Sequence, residues 1–179
     1  MQLDTKIDNR ALEELEKKYD SALNLRDNGP SLRRFVYLAT LLFALYHFWT
    51  AGFGTPVDYV HMGIHLSGLF FFIFVGFPLL KTTSALQYKG PSIWAPGNVP
   101  LYDWAIMLLA IIASLFLWYS WRGFDVFGIQ VAEQTMRQGN PSTIDVVLGS
   151  FLILAVLEIT RRTIGFVLPM IILVFAGYA

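Results

Sequence analysis

The sequence predicts an all-α integral membrane protein: a bundle of four transmembrane helices plus a fifth C-terminal apolar helix, preceded by an N-terminal amphipathic helix. Three observations carry this prediction. Of 179 residues, 55% are hydrophobic, 16% aromatic and 15% charged, where soluble domains carry roughly 25% charged residues, and the mean hydropathy is +0.54. Several apolar runs approach the roughly 20 residues that a helix rising about 1.5 Å per residue needs to cross a 30 Å hydrocarbon core. Lys and Arg are also distributed unevenly between the segments that join those runs.

Residues 1–34 form a polar tail with seven Lys/Arg and seven Asp/Glu. Leu12, Leu15, Tyr19, Ala22 and Leu23 recur there at helical spacing, which predicts a short amphipathic helix on the membrane surface. Asn28-Gly29-Pro30 then breaks the pattern. The transmembrane domain, residues 35–179, opens with spans at about 35–54, 59–80 and 104–121. The only ionisable side chains inside them are histidines: His47 in the first, His61 and His65 in the second. Trp49, Trp104, Trp118, Tyr119 and Trp121 stand at span ends, where amphipathic rings prefer the headgroup layer. Lys81 to Asp103 contains Pro91, Pro96, Gly97 and Pro100 and reads as an irregular loop, while the more polar Arg122 to Asn140 has room for one short helix. Ser142 is placed to cap a fourth helix with Asp145 in its first turn, giving a span at 142–162. Residues 163–179 form the fifth apolar segment, with a kink expected at Pro169.

The loop charges orient the bundle. Lys17, Lys18, Arg26, Arg33, Arg34, Lys81, Lys89, Arg161 and Arg162 fall on one side, against Arg122 and Arg137 on the other, a bias of nine to two that puts the N-terminus in the cytoplasm. The 13 basic and 13 acidic residues cancel, and no motif that reads DNA or RNA is present, which argues against a nucleic-acid partner. Without cysteine there is no disulfide, iron–sulfur cluster or thiolate zinc site. The first apolar run lacks the basic lead and small-residue cleavage site of a signal peptide. No nucleophile triad, paired carboxylate, Walker or Rossmann pattern points to catalysis.

Two groups of polar residues stand out. Glu158, Arg161 and Arg162 interrupt the apolar C-terminal region; Glu158 is three and four residues from the arginines and so shares a helix face with both. The plain reading is a marker of the cytoplasmic end of the fourth helix. His61 and His65 share one helix face, and His47 lies near the outer end of the preceding helix, so the three can converge. Interhelical hydrogen bonds or an interfacial position are the favoured readings, with a haem- or metal-binding redox subunit as the alternative. Gly63 and Ser67 have the small-xxx-small spacing that lets another helix approach. Asp58, Asp103, Asp125, Glu133 and Asp145 fall at span ends or in loops, where a carboxylate is expected to be solvated. Phe70 to Phe77 offers aromatic surface for a partner.

Four ordered blocks then resemble the N-terminal part of TAXI-type TRAP transporter permeases: Tyr46-His47-Phe48-Trp49-Thr50-Ala51-Gly52-Phe53-Gly54; His61 through Pro78; Pro100-Leu101-Tyr102-Asp103-Trp104; and Asp145 through Tyr178, including Leu157-Glu158-Ile159-Thr160-Arg161-Arg162 and Leu168-Pro169. Lys18-Tyr19-Asp20 fits the same picture. The resemblance implies a tripartite system in which a periplasmic TAXI-type solute-binding protein captures an organic anion and a membrane complex imports it on an ion gradient, commonly sodium. It further implies that substrate and cation sites belong to a large permease region, fused to the small one in many relatives, and that this chain is the small membrane subunit, stand-alone or part of a longer fused permease, in a bacterial inner membrane, without enzymatic activity or cofactor. Gly63, Ser67, Asp103, Trp104, Glu158, Arg161 and Arg162 are the candidate interface or structural residues.

Because the chain has no cysteine, single cysteines at Thr55 and Ser92 test the orientation directly. Labelling by an impermeant maleimide from outside at position 55, with protection at 92, is the expected outcome; the opposite pattern reverses the topology.

Overall fold

The computed structural model describes residues 25–79, 95–126 and 129–178. The expected N-terminal amphipathic helix, with Leu12 to Leu23, lies outside the described residues, as does most of the Lys81–Asp103 connection. The protein is mostly helical. Four helices are long and apolar enough to cross a membrane: α1, Pro30–Phe53; α2, Asp58–Gly76; α3, Leu101–Tyr119; and α4, Thr143–Thr163. A fifth, α5, Val167–Tyr178, has 12 residues, about 18 Å of rise against a core of about 30 Å.

Local chemistry sets these boundaries. Pro30 opens α1 at a position where its missing N–H costs nothing, so the helix begins before Arg33 and Arg34 and not at residue 35. α2 stops at Gly76, short of the expected residue 80, because Pro78 disfavours helical backbone at the residue before it; Phe77 is extended, with φ −111° and ψ 125°. α4 starts in a capping box: Ser142 Oγ accepts from the Asp145 N–H, and the Asp145 carboxylate accepts from the Ser142 N–H. The kink expected at Pro169 is absent. The chain breaks earlier, at Gly165 with φ +105°, between α4 and α5. Pro169 then sits in the first turn of α5, where a proline removes no intrahelical bond.

The segment from Arg122 to Asn140 also departs from expectation. In place of one short α-helix it holds an antiparallel hairpin, β1 (Phe124–Val126) with β2 (Ile129–Val131), and a 3₁₀ turn at Gln134–Arg137. Two further 3₁₀ turns flank α3, Pro96–Asn98 before it and Ser120–Arg122 after it.

The core lies between α2, α3 and α4. Phe70, Phe74 and Val75 meet Met107 and Ala110 of α3 and Ala155 and Ile159 of α4, with Val99 closing one end. The aromatic run of α2 is therefore spent inside the bundle: Phe70 and Phe74 are fully buried, contrary to its expected role as partner surface. Large exposed apolar side chains stand on α1, including Leu38, Leu41, Leu45 and Phe48, along α5, and on the outer faces of α3 (Leu108, Ile112) and α4 (Val147, Ile153, Leu154). α1 leans on α2 through edge-to-face pairs, Phe35 on Phe71 at 5.8 Å and Phe43 on Phe72 at 5.3 Å.

Gly63 and Ser67 define the seam between α2 and α3, the most extensive helix pair of the fold. A Cβ at Gly63 would stand 2.8 Å from the Ser114 carbonyl oxygen. Ser67 Oγ and Ser114 Oγ are 2.7 Å apart, and each also lies within reach of a carbonyl on its own helix, Gly63 O at 2.7 Å and Ile111 O at 2.9 Å. Each hydroxyl has one hydrogen, so one serine bonds across the seam while the other bonds back. The small-xxx-small spacing thus serves contact within the chain. Gly63→Ala forces α2 away from a backbone atom and costs about 1–3 kcal/mol. Gly149→Ala, where a Cβ meets nothing within 4 Å, gains up to about 1 kcal/mol from helix propensity. Unfolding of the two variants in mixed micelles checks the contrast.

Candidate functional site

The principal polar site forms where the C-terminal ends of α2 and α4 meet the N-terminal end of α3. Its centre is Asp103, in the first turn of α3, with no solvent-exposed surface. The sequence reading placed this carboxylate in solvent at a span end. The fold instead brings two guanidinium groups to it from distant parts of the chain: Arg26 Nη2 donates to Oδ2 at 2.7 Å, and Arg162 Nη2 donates to Oδ1 at 2.8 Å. The partners lie 77 and 59 residues away, beyond any local spacing rule.

The network extends along α4. Arg162 Nε donates to Glu158 Oε1 at 2.8 Å, and Arg161 reaches both oxygens of the same carboxylate, through Nε at 2.8 Å and Nη2 at 2.9 Å. Glu158 therefore bridges both arginines of its own helix, while Arg162 bridges Glu158 and Asp103. The Arg162 side chain is fully buried and its Cζ lies 4.5 Å from the Phe74 ring centroid, a cation–π contact that covers the guanidinium face left free by the carboxylates.

The arginines also complete α2. The last carbonyls of a helix have no intrahelical donor and carry the negative end of its dipole. Here Arg26 Nη1 donates to Phe74 O at 3.4 Å, the Arg26 backbone N–H to Gly76 O at 2.7 Å, Arg162 Nη1 to Phe77 O at 3.1 Å and Arg161 Nη2 to Leu79 O at 2.7 Å. Three positive and two negative side chains leave one excess positive charge, and the carbonyl ends of α2 and α4 face it. Trp104, next to Asp103, is partly buried against the core and points its Nε1 at Pro96 O, 3.4 Å away.

The histidines converge at the other end of α2. His47 Nδ1 lies 2.9 Å from Phe43 O and His47 Nε2 lies 2.8 Å from His65 Nδ1, while His61 Nδ1 lies 3.0 Å from the Tyr46 hydroxyl. A carbonyl only accepts, so His47 Nδ1 carries hydrogen. In the neutral ring Nε2 is then an acceptor and His65 Nδ1 must donate to it. The Tyr46–His61 and His47–His65 bonds join α1 to α2. Among the described residues, no group of three or more His, Cys, Asp or Glu is arranged to hold a metal ion.

A smaller polar cluster, not expected from the sequence, closes the same end of the bundle near the start of α4. Arg137 is buried and pairs with Asp145, and its Nη2 donates to Gln134 Oε1 at 2.8 Å. Asp145 also accepts from Ser142. From the sequence, Asp145 is expected to be solvated at a span end, and Arg137 counts only as a charge of an outside loop.

The chain matches no family model, no curated protein and no solved structure.

Asp103→Asn leaves two buried guanidinium groups without their shared counter-charge and is expected to cost about 3–5 kcal/mol. Glu158, with a quarter of its side chain exposed, is better hydrated, and Glu158→Gln is expected to cost nearer 1 kcal/mol. Unfolding in mixed micelles gives the ranking, and a larger loss from Glu158→Gln contradicts the centrality of Asp103.

Proposed function

We propose that this chain is the small membrane subunit of a TRAP-type secondary transporter in a bacterial inner membrane, N-terminus cytoplasmic. It braces a large permease subunit that imports an organic anion, delivered by a TAXI-type solute-binding protein, on an ion gradient, commonly sodium. The ordered sequence blocks described above are the source of the family assignment. The observation that carries the bracing role is the Asp103 network, which ties the segment before α1, the end of α2, the start of α3 and the end of α4 into one unit.

Such an arrangement suits a static part. The charges Arg26, Asp103, Glu158, Arg161 and Arg162 are engaged with one another and with helix-end carbonyls, and Ser67 and Ser114 with the α2–α3 seam. Moving any of the three core helices along its axis breaks several of these bonds at once. The large exposed apolar side chains of α1 and α5 lie outside the braced unit and offer the faces on which a second membrane subunit packs, by close contact and not by a hydrophobic gain that lipid already supplies.

Co-expression with the large permease subunit tests the proposal. The two chains are expected to copurify in mild detergent, and uptake into proteoliposomes is expected to need this chain, the large subunit and the binding protein together. Full-rate transport by the large subunit and binding protein alone overturns the bracing role.

A further inference from the structure

The two ends of α1 are fixed to the bundle by different chemistry. At its start, Arg26 binds Asp103, Asn98 Nδ2 donates to Asp27 O at 2.8 Å, and Phe35 packs on Phe71. Further along, the Phe43 ring rests over Gly68, where a Cβ has no room. Beyond Phe43 the polar contacts between α1 and α2, among the described residues, are Tyr46 with His61 and His47 with His65. Three titratable rings therefore stand together: the His47 centroid lies 5.6 Å from His61 and 5.0 Å from His65, and His61 lies 6.5 Å from His65.

The hydrogen-bond pattern sets how many protons this junction holds. With all three rings neutral, His65 Nδ1–H donates to His47 Nε2. One added proton is accommodated. His47 then carries hydrogen on both nitrogens, His65 moves its own to Nε2, and the bond between the helices survives with its direction reversed. A proton on His61 alone is met by the Tyr46 hydroxyl turning to accept. A second proton on the His47–His65 pair sets two N–H groups against each other across 2.8 Å. Placed on His61, it sets two like charges 5.6 Å apart by ring centroid, in half-buried surroundings that screen them less than water does.

Little counter-charge faces the cluster. On α2, Asp58 lies one turn before His61 on the same face; it is exposed and offers one negative charge at most. Tyr59, beside it, accepts from Gln138. α3 packs on the Gly63–Ser67 face of α2, and its ionisable side chains at this end are Tyr119 and, in the turn that follows, Arg122. None of the three histidines takes part in an ion pair among the described residues.

We propose that His47, His61 and His65 form an acid-sensitive latch, which keeps the second half of α1 on α2 while the three rings share at most one proton and releases it when they carry two. The start of α1 stays bound through Arg26 and Asp27, so the motion is a splay about that end, limited by the four-residue link 54–57. Imidazole is the side chain whose ordinary charge change falls between about pH 5 and pH 8, so the signal is acidification of the compartment that this end of the bundle faces. The latch is a property of this chain and stands apart from the transporter reading.

Because the chain has no cysteine, spin labels can be placed at Phe48→Cys and Met136→Cys, side chains 79% and 77% exposed. Their separation is measured by double electron–electron resonance in phosphatidylcholine nanodiscs at about pH 8 and about pH 5, and ¹⁵N spectra of labelled histidine count the charged rings in the same samples. One distance is expected at the higher pH. At the lower pH two rings are expected to be charged and a second, longer distance to become the major population. The double variant His61→Gln, His65→Asn keeps an acceptor for Tyr46 and a donor for His47 but leaves one ionisable ring, and it is expected to hold the short distance at both pH values. Two charged rings with an unchanged distance in the wild type, fewer than two charged rings at the lower pH, or the same acid-induced lengthening in the double variant overturns the latch. Should the double variant already lack the short distance at the higher pH, the wild-type comparison of ring charge with distance decides by itself.

Discussion

A carboxylate with no exposed surface must be paired or lose its charge, and Asp103 meets that demand with Arg26 and Arg162 at once. Much of this end of the fold follows from it. Arg162 reaches Asp103 only if the last turn of α4 stands beside the first turn of α3, and Arg26 only if the chain before α1 folds across the end of α2. Two arginines on one carboxylate leave excess positive charge, which Glu158 and the carbonyl ends of α2 and α4 absorb. The unit is held together by charges that cannot separate without being left buried and unpaired.

The two ends of the bundle answer the same problem differently. At the Asp103 end, the polar groups are closed in on one another and covered by Phe74. At the opposite end, α1 and α2 meet through hydrogen bonds between imidazoles and a phenol, and α3 and α4 flank a cavity beside the Arg137–Asp145 pair. Between them runs the glycine and serine seam of α2 and α3, where the backbones approach too closely for a side chain at Gly63. The closed end and the seam set the relative positions of α2, α3 and α4, while α1 and α5 stay peripheral.

What the sequence revealed was local chemistry, and what it concealed was pairing at a distance. Hydropathy located the four long helices, and Ser142 with Asp145 announced the start of α4, because both signals lie within one or two turns of the residues they control. Proline and glycine could be read only in competition. Pro78 ended α2, yet Pro169 produced no kink because Gly165 had already broken the chain and put the proline in a first turn. The hairpin at Phe124–Val131 was missed because three-residue strands leave too little alternation to detect. Asp103 looked solvated for a sound reason: a carboxylate at a predicted span end needs nothing else. Its burial is decided by Arg26 and Arg162, and no spacing rule links residue 103 to either. The aromatic run of α2 misled in the opposite sense, since the sequence cannot say whether such a face meets its own chain or another.

The network also bears on what the chain is for. Replacing a buried ion cluster with well-packed apolar side chains is often neutral or stabilising, so such a cluster is weak support for stability as its purpose. In lipid, apolar packing between helices is also poorly directional, because a displaced helix finds hydrocarbon as readily as another helix. A charge network removes that freedom. Guanidinium groups bound to carboxylates and to particular carbonyls admit one register of α2, α3 and α4, and a slip of a single turn strands at least one of five charges. Fixed register is of little use to a bundle that only has to stay folded. Under the proposed function it matters, because a part that braces a second subunit must present one shape to it, and the register of α2, α3 and α4 fixes that shape.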